Sequence, residues 1–243
     1  MKIAAISDVH VKIPHDDADH LLCNFLTNPL VVNSDYVVLL GDIFDLMCGP
    51  HTEYIKNFEH IFNLLDVLQR NGKKVLFFEG NHDVHLEALF KFRWPNREIM
   101  PMQIPLIEMI EGKTYYFSHG DEHEIDNVNY QKYKAFILSP PLRFVANKMM
   151  PYRLLNYLGK IASKSSRKRG SVSYDENLVK KRFRSGVTQT TEGKFNFILG
   201  GHSHVKDHFQ ITNNSYYINN GYALRSKSFI YIEDHEISFP ELS

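Results

Sequence analysis

The chain has 243 residues, of which 43% are hydrophobic, and this is enough to bury the core of one large α/β domain. A formal net charge of zero excludes a polyelectrolyte, and two cysteines exclude a disulfide framework. No run approaches the ~20 apolar residues of a membrane span, and the N-terminal apolar stretch is too short for a secretory signal. We therefore expect a cytoplasmic protein with a single domain over 1–243.

Short β-branched and aromatic runs predict strands, which lie at 3–7, 35–40, 74–79, 114–118 and 195–199. Between the second and third strands, a spacing of three to four between apolar residues predicts a helix over 52–70. Alternating strands and helices favour parallel pairing. The C-terminal runs YYIN, SFIYIE and EISF predict an antiparallel meander instead. The sequence thus predicts an α/β fold with a mixed sheet, or two stacked sheets with helices outside.

Polar side chains that can bind metal ions come directly after these strands in the sequence. Because the carboxyl ends of strands in α/β sheets converge on one crevice, we expect the side chains to meet. Carboxylate, amide and imidazole ligands favour two divalent ions, with Mn²⁺, Fe²⁺ or Zn²⁺ preferred to Ca²⁺. Mn²⁺ is our first expectation. The predicted ligands are Asp8, His10, Asp42, Asn81, His119, His202 and His204.

His82 follows Asn81 directly and is therefore predicted to point to the other side of the extended chain, towards a substrate. An imidazole there can protonate a leaving oxygen or stabilise phosphoryl charge. Asp83 is predicted to orient His82 through a hydrogen bond. His123 is a further candidate because it follows the SHGD block, and Cys48 is expected to be a buried or half-buried thiol. The other histidines are expected to be surface or core residues.

Residues 126–184 interrupt the strand pattern. Between Lys132 and Arg184 lie 14 of the 28 lysines and arginines, against only two acidic residues. Large apolar residues alternate with cations over 142–161, which predicts an amphipathic basic insertion, and the SKSSRKRGS run at 163–171 predicts a flexible loop. That loop is equally compatible with simple solvation. The candidate phosphate-binding cations are Arg143, Arg153, Lys164 and Arg225.

In order, the blocks D-x-H, GD, GNHD, HGD and GHSH resemble the signature of the calcineurin-like metallophosphoesterase superfamily over nearly the whole chain. This resemblance implies a four-layer α-β-β-α sandwich. It also implies a distribution of the ligands over two metals. One ion would be held by Asp8, His10, Asp42 and His204, and the other by Asp42, Asn81, His119 and His202.

Within the superfamily, the GDIFDLMCG block, the D-x-x-N-Y-x-x-Y-K pattern over 126–134 and the closing strand pair resemble the UDP-2,3-diacylglucosamine pyrophosphohydrolase group of lipid A synthesis. The resemblance implies that the insertion is a helical lid over acyl chains and a diphosphate, with Asn129 and Tyr133 among the substrate contacts. The products would be UMP and 2,3-diacylglucosamine 1-phosphate. An anionic membrane surface, at the inner membrane face, is a further candidate partner.

Three positions depart from that group. His82 stands where the group usually has arginine, Met47 where it has tryptophan, and Gly221-Tyr222-Ala223 where it has Gly-Asp-Trp. His82 favours an alternative, a metallophosphodiesterase or phosphatase with a soluble nucleotide or phosphoprotein as its substrate. The leucines of 142–161 disfavour a nucleic-acid enzyme, and the intact ligand set disfavours a scaffold without activity. The oligomeric state is not predicted.

Overall fold

The computed structural model describes residues 1–155, 157 and 175–242. Its strands are β1 (Lys2–Ile6), β2 (Tyr36–Leu39), β3 (Met47–Cys48), β4 (Lys74–Phe78), β5 (Asp83–Val84), β6 (Pro101–Met102), β7 (Leu106–Ile110), β8 (Lys113–Phe117), β9 (Phe197–Leu199), β10 (Lys206–Thr212), β11 (Ser215–Asn220), β12 (Ile230–Glu233) and β13 (Glu236–Ser238). The α-helices within these residues are α1 (Asp17–Thr27), α2 (Pro29–Val32), α3 (Glu53–Asn57), α4 (Glu59–Arg70), α5 (Glu87–Arg93), α6 (Val128–Ile137), α7 (Pro140–Lys148), α8 (Glu176–Thr191) and α9 (Ala223–Ser226).

Two large sheets form the centre of the fold. The six-stranded sheet has the order β13-β12-β1-β2-β4-β6, and the five-stranded sheet has the order β10-β11-β9-β8-β7. In the first sheet β1, β2, β4 and β6 are parallel, while β12 and β13 add an antiparallel edge. In the second, β9 lies parallel to both β8 and β11. The carboxyl ends of β1, β2, β4, β8 and β9 carry the predicted ligand blocks.

The sheets pack face to face because their strands are apolar on both sides. Along β1, Ile3 and Ala5 face the core between the sheets, and Ala4 and Ile6 face the core under the helices. Helices α1, α4 and α5 cover this outer face. On the far side, Val187 of α8 packs on the outer face of the five-stranded sheet. The predicted four-layer α-β-β-α sandwich is therefore confirmed.

The predicted helix over 52–70 is broken at Phe58, where α3 ends and α4 begins. The Phe58 ring is buried and packs on Phe44 at 5.0 Å between ring centroids. The break directs α3 so that Tyr54 lies edge-on against Tyr152 of the insertion, at 5.1 Å. Tertiary packing of aromatic rings thus overrides a helical periodicity that is continuous in the sequence.

The predicted C-terminal meander is wrong in one respect. β11 joins the five-stranded sheet, whereas β12 and β13 form a hairpin at the edge of the six-stranded sheet. The chain crosses between the sheets through α9. Asn220, at the end of β11, anchors the crossing because its side-chain oxygen accepts a hydrogen bond from the Ser7 backbone N–H at 3.0 Å.

The insertion begins with α6 and α7, which are anchored to the domain on one side. His85 Nε2 donates to the carbonyl oxygen of Ile137 at 2.7 Å, and Ala146 and Leu155 are buried in the helix-covered core. The predicted loop 163–171 and part of the amphipathic stretch lie outside the described residues. Across the described ranges, no helix has the length and apolar character to cross a membrane.

Candidate metal centre

The backbone at the strand ends is unusual for residues with side chains. The predicted ligands with φ between 52° and 64° are Asp8, His10, Asp42, His202 and His204. This left-handed conformation costs a residue other than glycine roughly 1–2 kcal/mol. Such strain concentrates at functional sites, where the surrounding fold maintains it. Here it turns the side chains out of the strand direction and towards one another.

Four side chains form the first half of the site. Ligand atoms of Asp8, His10, Asp42 and His204 all lie within 4.8 Å of one another, and both carboxylates are buried. His204 Nε2 lies 3.3 Å from Asp8 Oδ1 and 3.2 Å from His10 Nε2. Two facing imidazole nitrogens need a shared proton or a cation between them. The donor set therefore fits a divalent metal ion.

Asp8 is held in place by the neighbouring blocks. Ser7 Oγ donates to Asp8 Oδ2 at 2.7 Å, and the backbone N–H of His202 donates to the same oxygen at 3.0 Å. Gly201 permits this approach, because a Cβ at that position would lie 2.6 Å from Asp8 Oδ2. The first and last ligand blocks of the chain are thus joined through one carboxylate.

Asp42 lies between the two halves of the site. Its Oδ2 is 3.8 Å from His10 Nε2 and 3.7 Å from His119 Nε2. His119 Nε2 is in turn 3.4 Å from Asn81 Oδ1. A single carboxylate with imidazoles on both sides is a candidate ligand for bridging two ions.

His119 is oriented by the backbone of β2. Its Nδ1 donates to the carbonyl oxygen of Leu40 at 2.9 Å, so Nε2 is the nitrogen available to an ion. Burial lowers the pKa of His119, but the carboxylates of Asp42, Asp121 and Asp8, together with the hydrogen bond to the Leu40 carbonyl, outweigh this effect and hold the pKa at about 9. A metal ion must therefore displace a proton from this imidazole, so metal affinity is expected to rise with pH towards that value.

His202 lies outside the first cluster. It pairs with Glu124, a residue that the sequence analysis missed. His202 Nε2 donates to Glu124 Oε2 at 2.9 Å, which leaves Nδ1 as its candidate ligand atom. Glu124 also accepts a hydrogen bond from Arg182 of α8 at 2.9 Å. A carboxylate behind a histidine is the usual arrangement for fixing the orientation of a metal ligand. The acidic run that follows the SHGD block was the available signal.

Replacing Glu124 with alanine is expected to weaken binding of the second ion by about 10–100-fold, because His202 would lose its orientation. The first ion should bind as before, since Glu124 touches none of its ligands. Calorimetric titration of metal into the protein would measure both steps. Glu122→Ala is the matched control, because Glu122 contacts Tyr116 instead of His202. Unchanged affinity for both ions in the Glu124 variant would contradict this role.

His82 lies beside the first cluster, with its ring edge-on to His10 at 4.8 Å between centroids. Its Nδ1 donates to the carbonyl oxygen of Asp45 at 2.9 Å, and its backbone N–H donates to Asp42 Oδ1 at 2.8 Å. Burial lowers the pKa of His82, but the carboxylates of Asp42, Asp45 and Asp83, together with the hydrogen bond to the Asp45 carbonyl, raise it by more. A partly exposed imidazole with Nε2 available is thus placed at the edge of the ligand set.

Asp83 has a different position from the one we predicted. Its buried carboxylate accepts hydrogen bonds from the backbone N–H groups of Asp42 at 3.0 Å, Ile43 at 2.7 Å and Gly80 at 2.6 Å. His82 has the Asp45 carbonyl as its partner instead. The side chain of Asp83 points into the core because successive residues of an extended chain face opposite sides. Asp83 therefore joins two ligand loops.

Two residues that the sequence singled out, His123 and Cys48, belong to the core. His123 is buried, and its Nδ1 lies 2.7 Å from the hydroxyl oxygen of Thr190 on α8. Cys48 is a buried free thiol, as expected. Neither side chain belongs to the groups of metal-binding side chains found among the described residues.

The predicted substrate contacts are scattered. Arg225 lies at the rim of the site, where its Nη2 donates to the carbonyl oxygen of His204 at 2.6 Å. Arg143 pairs instead with Glu87 of α5 at 2.6 Å, and Arg153 is exposed. Lys164 lies outside the described residues.

On α6, the predicted contacts Asn129 and Tyr133 are exposed. Tyr130 of this helix reaches the site. Its ring lies against His202 at 4.7 Å between centroids, and its hydroxyl donates to Asp121 Oδ2 at 2.9 Å.

A cleft of about 250 Å³ opens beside the ligand histidines. Helix α8 forms one wall with Val179, Arg182 and Phe183, and His202 and His204 form the other. The cleft therefore combines the Arg182–Glu124 ion pair, two apolar side chains and the two candidate ligand imidazoles.

A family model described as calcineurin-like phosphoesterase matches residues 1–206. Several curated relatives bear the name UDP-2,3-diacylglucosamine hydrolase. The one from Wigglesworthia glossinidia brevipalpis is 24% identical and covers 96% of this chain and 91% of that protein. The one from Actinobacillus succinogenes is 25% identical and covers 85% of each. The match to the one from Psychromonas ingrahamii, 25% identical, covers 65% of this chain but only 63% of that protein's length.

A solved structure of an archaeal phosphodiesterase has a TM-score of 0.50 and 11% identity, and it covers 99% of this chain and 98% of that one. This likeness concerns the fold alone. The family model, by contrast, spans every block that carries a predicted metal ligand. The chain therefore belongs to the calcineurin-like phosphoesterase family.

Proposed function

We propose that this protein is a dinuclear metal-dependent hydrolase that cleaves the diphosphate of UDP-2,3-diacylglucosamine to UMP and 2,3-diacylglucosamine 1-phosphate. The observation that carries the proposal is an apolar, cationic insertion beside a buried two-sided ligand cluster. Family membership and the relatives' names support the reaction class and the substrate respectively. The protein would act in the cytoplasm, peripherally on the inner membrane face.

The ligand cluster supports phosphoester hydrolysis. Two divalent ions, when bound, supply positive charge to the phosphoryl oxygens and lower the pKa of the attacking water. The residues proposed to hold them divide as the family resemblance implies, around a shared Asp42. Manganese is our first candidate, with iron or zinc as alternatives.

The proposed acid is His82. Its Nδ1–H is held by the Asp45 carbonyl, so Nε2 can carry a second proton for the oxygen that leaves when the bond to the α-phosphorus breaks. The Asp42 carboxylate favours the protonated imidazole by raising its pKa against the effect of burial. Arg182 and Arg225, both beside the ligand histidines, are the residues proposed to bind the diphosphate.

The insertion supports a lipid substrate. The large apolar side chains that are 47–67% exposed on its described part are Val128, Tyr133, Phe136, Phe144, Met149, Leu154, Tyr157 and Leu178. A cluster of exposed apolar residues marks an interaction surface. Cations among them, such as Lys148 and Arg153, suit an anionic membrane surface. The same surface could therefore bind acyl chains and bring the protein to its substrate.

A hydrolysis assay tests this function. The protein with added Mn²⁺ would be given UDP-2,3-diacylglucosamine, with UMP as the readout, beside UDP-N-acetylglucosamine and bis-p-nitrophenyl phosphate. Rapid UMP release from the acylated substrate alone would support the proposal. Cleavage of the diester alone would rule out the lipid substrate, and no hydrolysis by the metal-loaded protein would overturn the reaction class.

Replacing both Phe136 and Phe144 with serine is expected to raise KM for the acylated substrate by about tenfold or more, because each phenylalanine that the bound acyl chains cover would contribute about 1.5–3 kcal/mol. Hydrolysis of bis-p-nitrophenyl phosphate should change less than about twofold. The control pair is Ile107→Ser and Met109→Ser, two exposed residues of β7. Equal losses on both substrates would argue against lipid binding by the insertion.

A metallophosphodiesterase or phosphatase with a soluble nucleotide or phosphoprotein substrate is the second candidate. His82 favours it, because an acid beside the metal ligands serves a general phosphoester as well as a diphosphate. The deciding quantity is the ratio of kcat/KM for the acylated substrate to that for soluble diesters. A ratio below one would favour this second function.

A further inference from the structure

A second group of metal-binding side chains lies outside the catalytic cluster, where α1 contacts α4. His15 precedes α1, Asp19 lies in the first turn of α1, and His60 lies on α4. One ligand atom from each lies within 4.8 Å of the others. In the sequence, both histidines lack a supporting motif and are expected to be surface or core residues.

The group is centred on the carboxylate of Asp19, which is only 1% exposed. His60 Nε2 lies 2.7 and 2.8 Å from the two carboxylate oxygens, and His15 Nδ1 lies 3.7 Å from Oδ2. The rings of His15 and His60 stack at 5.2 Å between centroids. Two imidazoles from different elements therefore converge on one buried carboxylate.

A thiol lies beside the group without belonging to it. Cys23 follows Asp19 by four residues on α1, so both side chains lie on one face of the helix. Cys23 Sγ lies 3.7 Å from Asp19 Oδ1. Two imidazoles, a carboxylate and a thiol form a mixed nitrogen, oxygen and sulfur set. This composition suits tetrahedral Zn²⁺ and disfavours Ca²⁺ and Mg²⁺, which prefer oxygen ligands.

We propose that His15, Asp19 and His60 bind one Zn²⁺ ion, with Cys23 as the fourth ligand, and that this ion joins α1 to α4. Burial raises the pKa of the Cys23 thiol to about 11. Coordination would therefore release the thiol proton. The site is separate from the catalytic cluster, since it shares no residue with it.

The test is the number of zinc ions bound. Wild-type protein and His15→Ala would be loaded with Zn²⁺, exchanged into zinc-free buffer and analysed by native mass spectrometry. His15 is exposed, so its removal leaves the core intact. We expect the variant to hold one zinc ion fewer than the wild type, whatever number the catalytic cluster holds. His208→Ala, which removes an exposed histidine of β10, should match the wild type. Equal zinc content in wild type and His15→Ala would overturn the proposal.

Cobalt substitution tests the fourth ligand. Co²⁺ bound to a thiolate gives a near-ultraviolet charge-transfer band, which the nitrogen and oxygen ligands of the catalytic cluster cannot produce. We expect the band in the wild type and in Cys48→Ser, and its loss in Cys23→Ser. A wild-type spectrum without the band, or a band that persists in Cys23→Ser, would overturn the assignment of Cys23.

Discussion

Replacing Asp42 with asparagine is expected to lower kcat on any phosphoester substrate by about 10³-fold or more, equivalent to about 4 kcal/mol of transition-state stabilisation. Asp42 Oδ2 lies 3.8 Å from His10 Nε2 and 3.7 Å from His119 Nε2, between the two halves of the ligand set. Asparagine keeps an oxygen for the backbone N–H of His82 but removes the negative charge that both ions would share.

Metal content and turnover would be measured on the same preparation of the Asp42 variant. We expect fewer than two ions per chain together with the loss in rate. Asp207→Asn is the matched control, because Asp207 is also buried but pairs with Arg184 on the outer layer. That control should keep its metal content and its rate. An Asp42 variant that retains both ions and most of its activity would show that Asp42 does not bridge the metals.

His82→Ala is expected to lower kcat by roughly 10²–10⁴-fold while metal content stays the same. His82 contacts the edge of His10 and the Asp45 carbonyl, so its loss removes a proton donor and leaves every predicted metal ligand in place. Rate and metal content, measured together, separate this effect from that of Asp42→Asn. A fully active His82 variant would refute the assignment of His82 as the acid.

The leaving group distinguishes the two roles proposed for His82. If His82 protonates the leaving oxygen, the loss in rate should be small for p-nitrophenyl esters, whose leaving group needs little protonation, and large for alkyl esters. If His82 stabilises charge on the phosphoryl oxygens, the loss should be similar for both. His51→Ala is the control, because His51 contacts Tyr152 of the insertion. Any change in its rate should be the same for both kinds of ester.

The ligand blocks could be predicted from the sequence because each is a local feature. A buried strand needs a continuous apolar run, and the residue that follows it lies at the edge of a sheet. The sequence alone therefore predicts Asp8, Asp42 and His119 at strand ends. Their order along the chain also led to the family and to the four-layer sandwich, both of which are confirmed.

Pairings between distant segments were decided by the tertiary structure. Glu124 could not be assigned to His202 from sequence because 78 residues separate them. Their hydrogen bond forms only where the turn after β8 packs against the end of β9. Asp83 was assigned the wrong partner for the same reason. Its carboxylate binds backbone N–H groups of a loop some 40 residues earlier, which no side-chain pattern reveals.

Residue types and periodicity thus determined which side chains could bind metal and which strands would carry them. The tertiary structure alone decided that α3 and α4 separate at Phe58, that β11 enters the second sheet, and that His60 meets Asp19. The physical reason is the same in each case. Apolar periodicity reports the burial of a segment, whereas the partner of a buried group depends on how segments distant in the chain pack together.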